Sequence, residues 1–254
     1  FLMESQIVEE VQRLTKLILG YYDTFGLTAQ LRFATRPEQR VGTDEMWDQA
    51  EGALRSALES TGQPYTLMPG DGAFYGPKID FHVEDSIGRT WQLGTIQLDY
   101  ANPERFDLSY VGEDNQLHRP VIIHRAVSGS FERFMGILIE HFAGAFPVWL
   151  APEQVRVLPI SDAQREAAAA LTRTLRDHGV RATIDDGNDT LNYRVRQGEV
   201  FKVPYLAVVG QREADAGTVA VRTRGAGSKQ DVMSVAEFVA KVVGETRARL
   251  RTPA

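Results

Sequence analysis

The sequence predicts two domains of different class, an α+β domain followed by a smaller α/β unit. Three observations carry this expectation. The 254 residues are too many for one ordinary small domain and fit two. In the first part of the chain, strand-like runs are joined mostly over long distances, as in an antiparallel sheet with helices set apart from it. The pattern then changes at Phe146-Pro147-Val148-Trp149-Leu150-Ala151-Pro152. This stretch breaks a helix and reads as a linker, and beyond it strands and helices alternate as in open mixed sheets. The expected division is 1–148 and 149–254.

Composition narrows the function classes. Hydrophobic residues make up 43% of the chain, normal for a globular core. The absence of cysteine rules out a disulfide framework and a cysteine-based zinc knuckle within these residues. No apolar run approaches membrane-spanning length, and no charged n-region precedes an apolar h-region. A net charge of −6 and a pI near 5.5 argue against bulk, sequence-blind nucleic-acid binding. A specific RNA contact made by a few local residues remains open. The chain opens at Phe1-Leu2-Met3, which leads us to expect a piece of a longer protein.

Ile7, Val11, Leu14, Leu17 and Ile18 keep helical spacing, with Gly20 as the expected stop. Leu27, Ala29, Leu31 and Phe33 alternate, so a strand is expected over 27–34, followed by a polar loop from Thr35 to Gly42. Thr43 should cap a helix that buries Met46, Trp47, Ala50, Leu54, Ala57 and Leu58, ended by Gly62 and Pro64. A glycine-rich turn from Gly70 then runs through Phe74-Tyr75-Gly76-Pro77-Lys78 into a strand over Ile79–Val83. Such a turn usually just joins two strands, but here a stiff Gly-Pro corner carries a tyrosine and a lysine, the rigid mount a binding site needs.

Thr90–Tyr100 reads as the next strand. By simple alternation Trp91, Leu93, Thr95 and Gln97 share one face, and Gln92, Gly94, Ile96 and Leu98 the other. A bulge at Gly94 would turn Gln92 to the side of Gln97. Two glutamines and a threonine on an apolar strand fit either a solvated edge or a site. Tyr110–Asn115 looks like a strand end and turn. The stretch Val121–Leu138 combines an extended run carrying His124 and Arg125 with a helix from Phe131, capped by Ser130. Phe131, Phe134, Met135, Leu138 and Phe142 fall on one helical face. This unit is expected to be buried, and buried charge needs a partner or a task.

In the second domain the expected order is strand 155–160, helix 163–178, strand 180–184, a polar turn, and a short helix 191–197. Strands 205–209 and 218–223 follow, separated by a polar loop. A last helix opens with the capping box Ser234-Val235-Ala236-Glu237. There is no Walker loop, no dinucleotide fingerprint and no serine–histidine–acid spacing. None of the five histidines forms an i, i+4 metal pair on a helix. On composition alone, a lone strand histidine such as His124 is more often a hydrogen-bonded core residue than a ligand.

Five phrases occur in order: TRPEQRVGTDEMWD (Thr35–Asp48), GAFYGPKIDF (Gly72–Phe81), QLGTIQLDY (Gln92–Tyr100), YVGEDN (Tyr110–Asn115) and IIHRAVSGSFERFMGIL (Ile122–Leu138). Together they resemble the threonyl-tRNA synthetase family. GSFERF resembles motif 3 of class II synthetases, and the residues after Trp149 resemble that family's anticodon-binding domain. The resemblance implies the C-terminal part of an antiparallel class II catalytic fold, then an α/β anticodon-binding domain with a mixed five-stranded sheet. The implied reaction is ATP-dependent activation of L-threonine, with magnesium accompanying ATP, and transfer to tRNA(Thr). A homodimer, a cytoplasmic location and no membrane partner go with it.

The resemblance also implies roles. Arg133 matches the motif 3 arginine that stacks on adenine and reaches the γ-phosphate, a task for a planar, permanently charged donor. Gln92 matches an ATP-binding residue, and Lys78 one beside the reacting groups. Tyr75 and Gln97 match residues that hold threonine. His124 matches one of three protein ligands to a zinc that binds threonine through its amine and hydroxyl. The cysteine and second histidine of that set are absent, and the histidine is expected just upstream of Phe1. Motif 1, most of motif 2 and the editing domain are missing too. The chain alone is therefore expected neither to hold zinc tightly nor to activate threonine; measurable threonine-dependent pyrophosphate exchange by it would overturn this.

Glu213, in GQRE, and Arg222, in VAVRTR, match anticodon-contacting positions. Asn188 matches more loosely, because Gly187–Asn192 departs from the family's more basic wording, and Asp162, at the end of the domain's first strand, is a further, weaker candidate. Two other readings compete. One is a non-catalytic class II paralogue acting as a tRNA-binding or regulatory module. The other is a synthetase for proline or serine, against which His124 and FYGPK argue. Keeping Tyr75, Lys78, Gln92, Gln97, His124 and Arg133 together favours the ligase.

Overall fold

The computed structural model describes residues 1–251. The chain divides into two compact units, Phe1–Leu138 and Ile139–Ala254.

In the first unit, helix α1 (Ile7–Phe25) is followed by β1 (Ala29–Ala34), α2 (Asp44–Ser60), β2 (Tyr65–Met68), β3 (Lys78–Glu84) and β4 (Thr90–Asp99). Then come α3 (Ala101–Arg105), the short pair β5 (Tyr110–Val111) and β6 (Leu117–His118), β7 (Ile122–Ala126) and α4 (Phe131–His141). The main sheet has the order β2-β1-β3-β4-β7, antiparallel except for the β1–β2 pair. One face carries Leu31, Phe33, Ile79, Phe81, Ile96 and Leu98, all nearly inaccessible, and α1 and α2 pack on the sheet. Thr43 caps α2 as expected, its Oγ accepting from the Met46 N–H at 3.3 Å.

Four features depart from the expectations. Helix α1 does not stop at Gly20 but runs to Phe25, where Gly26 turns into the left-handed region at φ 77°. A helix-interior glycine costs about 1 kcal/mol, and burial of Ile18, Tyr22 and Phe25 outweighs it. Strand β2, parallel to β1 through the α2 crossover, was not expected; it is a four-residue edge strand with mostly open side chains. The buried stripe of α4 is Phe134, Ile137 and Leu138, whereas Phe131 and Met135 are 80% and 57% exposed. The period is right and the stripe is rotated. Finally, β7 is an edge strand, so His124 and Arg125 stand exposed rather than buried, and Arg133 is exposed on the first turn of α4.

In the second unit, β8 (Val155–Pro159), α5 (Arg165–Asp177), β9 (Ala182–Ile184), α6 (Leu191–Val200), β10 (Tyr205–Val209), α7 (Gln211–Ala216), β11 (Thr218–Thr223), β12 (Asp231–Ser234) and α8 (Val235–Ala248) follow in order. The mixed five-stranded sheet has the order β12-β11-β10-β8-β9. Its central strands are apolar on both sides because both faces are covered. Val155, Val157, Tyr205 and Ala207 pack in one buried cluster with residues of α5 and α8, and Leu158, Leu206 and Val208 in another with Val195 of α6. The loop expected before β11 holds α7, and β12 is a polar edge strand that composition did not reveal. The Ser234–Glu237 capping box is formed, with reciprocal bonds of 2.9 and 3.2 Å. The expected linker is packed structure: Val148 and Ala151 are buried, and Arg181 donates to the carbonyls of Trp149 and Ala151.

Candidate functional site

Register places the candidate residues. Cross-strand partners share a face of a sheet. Lys78 pairs with Gln97, Asp80 with Thr95, and Gln97 with His124. Between Phe81 and His82 the register shifts, so that Phe81 lies opposite Gly94 and His82 opposite Gln92. Leu93 is the extra residue of this bulge. It turns Gln92 to the side of Thr95 and Gln97, as the sequence allowed. The face opposite the apolar core thus carries a continuous polar stripe, from Gln92 to Asp99, roughly 20 Å at the usual strand rise.

The stripe is tightly wired. Tyr75 donates to Gln97 Oε1 at 2.6 Å. Burial first, and the Asp99 carboxylate after it, hold the Tyr75 phenol above the usual tyrosine range, so it remains a donor at neutral pH. The Gly76 backbone lies against the end of β4: a Cβ at this position would sit 1.8 Å from the Leu98 carbonyl oxygen. Lys78 Nζ lies 2.5 Å from Asp80 Oδ2 and 3.9 Å from Asp71 Oδ2. Asp80, only 1% exposed, also accepts from Gln92 Nε2 at 2.6 Å and from Thr95 Oγ1 at 3.0 Å. A buried carboxylate with this many donors is compensated and fixes both Lys78 and Gln92.

At the other end, His124 Nε2 lies 2.8 Å from Asp99 Oδ2. Asn102 holds Asp99 from its backbone N–H at 2.9 Å and its side-chain amide at 2.6 Å. The His124 ring also meets the Tyr75 ring edge-on, with centroids 5.5 Å apart. Asp80, Asp99 and Asn102 are the residues sequence reasoning missed, while Thr95 was noted with the two glutamines but given no role. Strand alternation from Lys78 and Gln97 was the available signal for Asp80, Thr95 and Asp99.

Arg133 closes the stripe at the Gln92 end. Ser130 Oγ accepts its backbone N–H at 3.3 Å. Its guanidinium donates to the Gln92 carbonyl at 3.2 Å and lies over the Trp91 ring, 5.4 Å from the centroid. Arg133 is thus an exposed cation held by an aromatic face and one carbonyl.

The pairing of His124 Nε2 with the Asp99 carboxylate is an arrangement also common at metal-ligating histidines. Among the described residues no group of three His, Cys, Asp or Glu side chains is placed to hold an ion.

In the second unit the chain leaves β8 for β9 on one side and returns to β10 on the other. This reversal opens a crevice at the carboxyl ends of the parallel strands, the usual ligand position in such sheets. A cavity of about 420 Å³ lies here, lined by Asp162, Arg165, Asp186, Asn188 and Arg194 among others. Asp162 and Asn188 are therefore brought together. Glu213 lies after β10, where its carboxylate accepts the Gly210 N–H at 3.0 Å. Arg222 is elsewhere, in a second cavity of about 420 Å³, bonded to Glu199 at 3.1 Å and to the Gly227 carbonyl at 3.2 Å.

No helix among the described residues is long and apolar enough to cross a membrane. Comparison with known proteins agrees with both units. Residues 1–142 match the tRNA synthetase class II core domain (G, H, P, S and T), and residues 154–245 match the anticodon binding domain. The chain is 53% identical over 242 residues to the threonine–tRNA ligase of Desulforamulus reducens, covering 95% of this chain and 38% of that protein. It is 50% identical over 249 residues to that of Carboxydothermus hydrogenoformans, covering 98% and 39%. It thus spans well under half the length of these curated relatives. A crystal structure of the RNA binding domain of threonyl-tRNA synthetase from Cryptosporidium parvum Iowa II superposes with a TM-score of 0.87 at 38% identity, covering 99% of this chain and 62% of that one. The chain belongs to the class II tRNA synthetases of the G, H, P, S and T group, with their core domain followed by an anticodon-binding domain.

Proposed function

We propose that this chain is the C-terminal part of the catalytic core, with the anticodon-binding domain, of a threonine–tRNA ligase. The full-length protein activates L-threonine with ATP and magnesium and transfers it to tRNA(Thr), as a homodimer in the cytoplasm. The observation that carries this reading is the polar stripe, whose two ends differ in chemistry. The Arg133 end offers a stacked, exposed guanidinium, suited to adenine and phosphate oxygens. The His124 end offers an oriented imidazole beside the Tyr75–Gln97 pair, suited to a small polar amino acid.

In this reading Arg133 and Gln92 hold ATP, and Lys78, fixed by Asp80, stands beside the reacting groups. The threonine carboxylate attacks the α-phosphorus and pyrophosphate leaves. Preorganised cations lower this barrier because they need no reorganisation as charge develops. Tyr75 and Gln97 orient the amino acid. His124 is one ligand of a zinc completed by residues outside this chain. Such an ion supplies a Lewis-acidic position for the substrate amine and hydroxyl.

The test is threonine-dependent ATP–pyrophosphate exchange by the full-length protein. Threonine should support exchange, and valine should be rejected by roughly 10⁴-fold or more, as for a site built around a hydroxyl. Equal rates with valine, or exchange supported by proline or serine instead, would remove the assignment.

For the second unit we propose that Asp162, Asn188, Glu213 and Arg222 contact anticodon bases, whose edges and faces are read in single-stranded loops. Arg222 must exchange its Glu199 contact for a base, a small cost because a partly exposed ion pair contributes only about 0–1 kcal/mol. Arg222→Ala should weaken binding of tRNA(Thr) by ~1–3 kcal/mol. Titration of tRNA against both proteins at one salt concentration measures it, and unchanged affinity would exclude Arg222 from the contact.

A further inference from the structure

Helix α1 lies behind the sheet and β7 with its turn lies at the sheet edge, yet one side chain joins them. Tyr22 is fully buried, and its hydroxyl donates to the Val127 carbonyl at 2.6 Å. It reaches that carbonyl beside Gly94. A Cβ on Gly94 would lie 2.9 Å from the Tyr22 hydroxyl and 3.1 Å from the Val127 oxygen. The bulge and the missing side chain together make the passage. The adjacent Tyr21 packs its ring against Phe25 and against Phe134 of α4. Of two consecutive tyrosines of α1, Tyr21 therefore packs on the first turn of α4 and Tyr22 ties down the turn after β7. The same turn rests on the bulge from the other side, since Gly129, at φ +68°, would bring a Cβ to 3.0 Å from the Leu93 carbonyl.

That turn launches Arg133. Ser130 caps α4 through the Arg133 N–H, and the guanidinium is held by Gln92 and Trp91, the two residues preceding the bulge. We propose that Tyr22, passing Gly94, is the positioning residue that aims Arg133 along the stripe. This inference rests on the reading of Arg133 as the ATP clamp. Losing the phenol takes the Tyr22 donor from the part-buried Val127 carbonyl and frees the turn, so the effect should appear in ATP and not in threonine.

The experiment uses the full-length protein and steady-state pyrophosphate exchange. Tyr22→Phe should raise KM for ATP roughly tenfold, the equivalent of one lost buried hydrogen bond, with KM for threonine moved less than about twofold. Gly94→Ala acts on the same contact and should raise KM for ATP likewise; it also serves if Tyr22→Phe fails to fold. The double variant should show less than the product of the two single effects, because Phe vacates the space the new methyl group meets. An unchanged KM for ATP, a parallel rise in both KM values, or strictly multiplicative effects would overturn the proposal. Arg133→Ala separates the two levels. If it leaves KM for ATP unchanged, the clamp reading fails and this inference with it. If it raises KM for ATP while neither Tyr22→Phe nor Gly94→Ala does, only the positioning role fails.

Discussion

Arg133→Ala in the full-length protein should lower threonine-dependent pyrophosphate exchange by roughly 10²–10³-fold, the usual cost of removing one preorganised donor from a charge-developing site. The protein fold should survive, because Arg133 is exposed and, among the described residues, its guanidinium is held by one carbonyl and one ring face. Circular dichroism and melting temperature should therefore stay near those of the parent while activity collapses. Arg133→Lys sharpens the test. Lysine keeps the charge but cannot stack as a plane or donate in a fork, so it should recover only part of the loss. Full recovery by lysine would show that charge alone matters and would remove the adenine-stacking role. Unchanged exchange in Arg133→Ala would remove the clamp altogether.

Local chemistry in this chain was legible where one residue type settles the geometry. Thr43 before an apolar-periodic run is a helix cap, Ser234 three residues before Glu237 is a capping box, and both form. Gly94 in an otherwise alternating strand suggested the bulge that brings Gln92 to its neighbours. What stayed hidden needs pairing across the chain. Asp80 and Asp99 look like ordinary strand carboxylates until register sets Asp80 beside Thr95 and Gln92, and Asp99 beside His124. Periodicity found the helix after Ser130 but not its rotation, because Phe131, Phe134 and Leu138 are equally apolar and only packing decides which face is covered. The same reasoning misplaced the charge. His124 and Arg133 were expected to be buried, whereas along the stripe the buried charges are Asp80 and Asp99, which hold its side chains in place. Strand β2 and helix α7 escaped because short, polar edge elements carry little hydrophobic period.

His124→Ala in the full-length protein should abolish stoichiometric zinc, measured by metal analysis after gel filtration, because a three-ligand site that loses one neutral nitrogen retains too few donors. The more informative variant is Asp99→Asn. Asp99 is fully buried, and through Asn102 it is tied to α3, so it sets the ring plane of His124 from behind. Changing an orienting carboxylate typically costs about 10–100-fold in metal affinity, so Asp99→Asn should retain zinc at high concentration and lose it to a chelator that leaves the parent loaded. Its effect on exchange should fall on threonine rather than on ATP, the reverse of Tyr22→Phe, since the two residues serve opposite ends of one stripe. Full zinc content in His124→Ala would remove the metal assignment and return His124 to a hydrogen-bonded strand histidine. Normal chelator resistance in Asp99→Asn with zinc lost in His124→Ala would leave the ligand in place and deny Asp99 its orienting task.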